Sequence, residues 1–240
     1  MAFRDFTYPS VLKKLDLAVQ EDDLSSGATP LPVRQGFATF FAEGLAIAVG
    51  TLGVCTEKAK SEFLIAPLLV ELRRATGRRL FSVFSGMELN VNKARGLNGA
   101  CDYVLTKGGN QHLREAPILG ILEAKNEDFS QQGMGQCVAG MFAALCRNRK
   151  DGWPVPHVFG AVTTGRTWQF LRLEGSVVTI DPTNYPVRDL GRVMGILRHQ
   201  IACASATSPG ARPWCPSGDS PSATVLHDHD PRERDAVVGP

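Results

Sequence analysis

The apolar run Ile118-Leu119-Gly120-Ile121-Leu122 ends in Glu123-Ala124-Lys125, and this junction constrains the chain more than any other stretch. The run is short, follows Pro117 and stops in charges, which is the pattern of a strand. With a side-chain period of two, Glu123 and Lys125 leave the same face of that strand, about 6–7 Å apart along it. One face at the strand end thus carries a metal-ligand type beside a proton-handling type.

The elements around it form a consistent order. Residues 58–76 read as a helix, with Phe63, Leu64, Ile65, Leu68, Leu69 and Leu72 apolar and Gly77 at its stop. Pro67 inside it predicts a kink or a displaced start. Strands are predicted over 80–91, 100–105 and 117–125, with a Gly-Leu-Asn-Gly turn at 96–99 and a break at 107–110. Two adjacent strands joined by a loop of this length make an antiparallel hairpin, which brings Asp102 toward Glu123. A helix apolar almost all round follows over 133–149, then strands over 157–163 and 167–173 about the turn Thr164-Gly165-Arg166, and a last helix over 189–202. Helix, strands, helix, strands, helix is an α/β arrangement, a mixed central sheet flanked by helices.

Three regions are expected. Residues 1–56 are read as a helical N-terminal extension, with helices near 11–15 and over 36–48 around a loop at Pro30 and Pro32. Residues 57–205 form the main domain. Residues 206–240 hold six of the fifteen prolines and few large apolar side chains, so a disordered tail is expected there.

Composition excludes little. A hydrophobic content of 43%, a charged content of 21% and a net charge of +2 are ordinary for a globular protein, and charge alone argues for no partner. Six cysteines without a C-x-x-C spacing fit reduced thiols in a cytoplasm and disfavour a zinc site. The N-terminus lacks the basic-then-apolar order of a secretion signal. The thirteen uncharged residues 44–56 are too few to span a bilayer, so no membrane association is expected.

Magnesium favours carboxylate and carbonyl oxygens in an open octahedral set completed by water and substrate phosphate. Asp102, Glu123 and the backbone carbonyl of Ala124 are the candidate donors. Lys125, two residues beyond the glutamate, is placed to orient an attacking water and help remove its proton. The same charges also read as a solvated strand-end pair with Asp102 in a turn. Glu62 shares a helix stripe with Ile65, Ala66 and Leu69, where a buried carboxylate needs a partner or a metal; an exposed first-turn acid is the plainer reading. Gln136 shares a face with Ala139, Gly140 and Ala143 and is either a site residue or a satisfied core amide. Lys93, Arg95 and Lys107 suit phosphate contacts or an ordinary solvated face. Gly108-Gly109 and Gly133-x-Gly135 match no phosphate-binding loop, and His227-Asp228-His229 sits in the tail, where metal binding would be adventitious.

Taken together, Gly99-Ala100-Cys101-Asp102-Tyr103, Leu122-Glu123-Ala124-Lys125 and the helical Gly135-Gln136 resemble the PD-(D/E)XK nuclease superfamily, over roughly residues 58–173. The resemblance implies a restriction-endonuclease-like core. It implies Asp102 and Glu123, with Ala124, as ligands of Mg2+ or Mn2+, Lys125 as the residue that activates or positions water, Glu62 as an auxiliary acid and Gln136 as a helix-borne site residue. It further implies hydrolysis of phosphodiester bonds in nucleic acid, with DNA as the expected substrate, in a cytoplasmic protein able to pair as a homodimer. Cys101 stands where the name-giving proline would precede the aspartate. Because fold is not function, the alternative is a catalytically inactive nucleic-acid- or partner-binding module with the same fold.

Overall fold

A computed structural model describes residues 1–46, 56–108, 116–125, 131–153 and 155–206. The expected tail beyond residue 206, the His227-Asp228-His229 motif and residues 47–55 of the apolar stretch lie outside the described residues.

The helix predicted over 58–76 is continuous but not uniform. It begins as α3 (Glu57–Lys60), where the Thr56 hydroxyl accepts the Ala59 N–H at 3.1 Å, and ends as α4 (Ala66–Ala75). Between them Ser61–Ile65 is a wide π turn in which the Ala66 N–H reaches the Ser61 carbonyl. Pro67 accounts for the widening, since its ring crowds the carbonyl four residues earlier and it brings no N–H of its own. The expected disturbance takes this form.

Strands β2 (Phe81–Glu88), β3 (Ala100–Lys107) and β4 (Ile118–Ala124) form an antiparallel meander, as the sequence predicts. Helix α5 (Gln131–Lys150) then crosses over to β5 (Val158–Thr163), which lies parallel to β4. Parallel neighbours need such a crossover, and α5 supplies it. Strands β6 (Thr167–Glu174) and β7 (Val177–Ile180) continue antiparallel, and the short β8 (Tyr185–Pro186) pairs with β6 before α6 (Leu190–Ser205), whose first turn is capped by Asp189. The N-terminal residues add α1 (Tyr8–Leu15), β1 (Ala18–Glu21) and α2 (Gln35–Ala46). β1 joins the sheet edge parallel to β7, giving the order β1-β7-β6-β5-β4-β3-β2 with β8 off the path. The sheet is mixed, with eight strands.

The N-terminal region, expected to be helical, therefore also completes the sheet. All four β1 side chains are exposed, so no apolar alternation in Ala18-Val19-Gln20-Glu21 announces the strand. It is tied to the rest elsewhere too: Phe3 and Phe6 pack in the same apolar cluster as α5, and the Leu31 N–H meets the Gly191 carbonyl at 2.9 Å.

Apolar clusters fill both faces of the sheet. One gathers Leu68, Leu69 and Leu72 of α4 and Val193, Leu197 and Ile201 of α6; the other gathers Val138, Met141 and Phe142 of α5. Every β4 side chain is buried, because the strand is central and covered on both sides. Gly120 is required there: a Cβ at that position would come within 2.3 Å of the Phe159 ring on β5.

Candidate active site

The hairpin register pairs Tyr103 with Leu122, so Asp102 and Glu123 fall opposite each other at the next step. The Ala124 N–H donates to Asp102 Oδ2 at 2.8 Å, and this closes the end of the hairpin. In an extended strand the N–H and C=O of one residue leave on the same edge, so the Ala124 carbonyl also faces the β3 side. On the other edge, the Lys125 N–H donates to the Thr163 carbonyl of β5 at 2.8 Å. The strand end is thus held from both neighbours.

Around that end the side chains converge. Lys125 Nζ lies 3.2 Å from Gln136 Oε1, 3.8 Å from Glu123 Oε2 and 3.9 Å from Glu57 Oε2. The Lys125 side chain is only 12% exposed. Lys60, itself buried, donates to the Lys125 carbonyl at 3.3 Å, fastening the strand end to α3. Asp102, Glu123, Lys125 and Gln136 are therefore brought together.

Glu62 is not. Its side chain is 57% exposed and pairs with Lys58 at 3.9 Å, the arrangement of an exposed helical acid. The π turn explains the miss: it shifts the helical phase, so Leu64 and Ile65 are buried while Glu62 turns outward. The carboxylate that α3 offers to Lys125 is Glu57, which lies one residue before the helix predicted over 58–76. Thr56 as an N-cap was the available signal, since it places Glu57 in the first turn. Two of the three basic residues named earlier engage other groups: Arg95 lies over the Phe142 ring, 5.4 Å from its centroid, and Lys107 Nζ donates to the Ser205 carbonyl at 2.8 Å.

Glu123 has no exposed surface, and neither of its side-chain oxygens makes a hydrogen bond among the described residues. Burial first, and the Asp102 charge second, push its carboxyl well above the usual carboxylate range, with Lys125 opposing them. Burial, and next the nearness of Glu123, also push the Cys101 and Cys137 thiols up, so they stay protonated and serve as apolar lining. A carboxylate held dry, facing a second carboxylate and lacking hydrogen bonds, is suited to a cation.

The donor set therefore fits a hard divalent ion, which Asp102, Glu123 and the Ala124 carbonyl would hold. Among the described residues no three His, Cys, Asp or Glu side chains gather as a metal-binding group, so the third donor would come from the backbone. Likewise among the described residues, no helix is long and apolar enough to cross a membrane.

No family model matches the chain, and no curated protein matches it.

Proposed function

We propose that this chain is a metal-dependent nuclease of the PD-(D/E)XK type that hydrolyses phosphodiester bonds, with DNA as its substrate. The observation that carries the reading is the convergence of Lys125 on Glu123 and Gln136 beside the Asp102–Ala124 hydrogen bond. The spacing of these residues in sequence requires neither contact.

Asp102 and Glu123 would hold Mg2+ or Mn2+ together with the Ala124 carbonyl. When bound, the cation supplies charge neutralisation at the phosphate and acidifies a coordinated water. The remaining work belongs to the chain. Lys125 Nζ, with one proton directed to Gln136 Oε1, keeps further N–H donors for the attacking water or a phosphate oxygen. Its position against Glu123 and Glu57 holds that donor at the strand end as charge develops. The nearly closed surroundings of Lys125 and Glu123 keep bulk water from competing for these contacts.

The test is incubation of the purified protein with single- and double-stranded DNA and RNA, with Mg2+, with Mn2+ and with a chelator. Cation-dependent cleavage of DNA, abolished by the chelator and by Glu123→Ala, is expected. Tight nucleic-acid binding without cleavage under every cation would instead identify a binding module.

A further inference from the structure

We infer that Gly133, in the first turn of α5, is the residue that positions Lys125; the inference rests on the reading of Lys125 as the group that handles water. A Cβ at Gly133 would stand 2.8 Å from Lys125 Cγ, 3.1 Å from Cδ and 3.2 Å from Cε, so the lysine stem lies directly across the bare glycine. One helical turn further on, Gln136 accepts from the lysine tip at 3.2 Å. Residues three apart on a helix share a face, so Gly133 seats the stem and Gln136 holds the ammonium from one surface.

A free lysine samples many rotamers, and this cradle leaves it few. The contact falls at Cγ, near the root of the side chain. A methyl group there would swing the whole stem and carry Nζ away from Gln136 and Glu123, whereas a clash at the tip would be absorbed by bond rotation. Glycine is a poor helix former. Its presence in this turn is accounted for by the lysine that crosses it, because the three atoms nearest to the missing Cβ all belong to Lys125.

The test is a thermal cycle of four proteins in chelator: the parent, Gly133→Ala, Lys125→Ala and the double variant. Gly133→Ala is expected to lower the Tm of the parent by several degrees and to leave unchanged or raise that of Lys125→Ala, where the three atoms nearest to the added methyl are gone and alanine is the better helix former. Equal losses in both backgrounds would overturn the proposal. Should Gly133→Ala fail to fold, recovery of folding in the double variant supports the contact, and failure of both overturns it. Cleavage supplies the functional arm: Gly133→Ala is expected to lose at least tenfold in kcat with KM within twofold of the parent, and a kcat within twofold of the parent overturns the positioning role. If Lys125→Ala itself cleaves like the parent, the water-handling role fails, and the thermal cycle still reports whether the stem contact is real.

Discussion

The Ala124 amide donates to Asp102 Oδ2 at 2.8 Å, so the aspartate is locked to the strand that carries Glu123 independently of any ligand. Asp102 thereby has two opposed effects on the fold: it satisfies a backbone donor, and its charge raises the cost of the neighbouring buried carboxylate.

These effects separate in two variants. Asp102→Asn keeps an acceptor for the amide and removes the charge, so in chelator it is expected to be at least as stable as the parent while losing cleavage. Asp102→Ala leaves the amide without its partner and should cost about 1–3 kcal/mol. Urea denaturation of both checks this; equal destabilisation by Asn and Ala would contradict the account.

Glu123 gives a pH signature. Its folded carboxyl titrates above its unfolded value of 4.5, chiefly through burial. The stability it contributes is therefore full below that unfolded value and is lost as pH rises through the folded one. In chelator, the parent should lose stability relative to Glu123→Gln as pH rises from the unfolded value toward the raised folded one, and Mn2+ should restore the parent but not the variant. Parallel stability curves for the two proteins would refute this.

Glu71 behaves in the opposite sense. Hydrogen bonds from Arg74 and then Arg34 hold its carboxyl down at about 2. Its contribution is present above the unfolded value of 4.5 and is lost as pH falls toward 2. The clamp ties the N-terminal region to α4, with Arg34 and Arg74 each at 2.7 Å. Since both arginines are partly exposed, Glu71→Gln should cost only about 1–2 kcal/mol at pH 7 and flatten the loss of stability between pH 5 and pH 2. Acid titration followed by circular dichroism measures both.

Glu57 and Glu62 distinguish the structure from the sequence reading. Glu57→Ala removes a carboxylate 3.9 Å from Lys125 Nζ and should slow cleavage severalfold, whereas Glu62→Ala, at an exposed site, should leave the rate within twofold. The reverse ranking would restore Glu62 to the site.

The hairpin was legible because its signals are local: the apolar run of β4, the start of β3 after the Gly96–Gly99 turn, its predicted break at 107–110 and the period of two place Asp102 on one strand and Glu123 and Lys125 at the end of the other. Gln136 was legible because α5 keeps regular helical phase. Glu62 was misplaced because a π turn is a response to Pro67 within the packed helix, and periodicity assumes a constant pitch. Glu57 was missed because its relevance depends on where the helix starts relative to Lys125, a tertiary relationship. β1 gave no sign because its exposed side chains lack alternation; its pairing with β7 is a parallel backbone ladder joined by one hydrogen bond from Gln20 Nε2 to Thr179 Oγ1 at 3.0 Å, a tertiary contact.

Single-turnover cleavage of one DNA duplex in Mg2+ by the parent and by Lys125→Ala tests the central claim most directly. The account predicts a loss of about 10²–10⁴ in rate, with duplex affinity within a few-fold of the parent and an unchanged circular dichroism spectrum. A folded Lys125→Ala that cuts within threefold of the parent rate would contradict it.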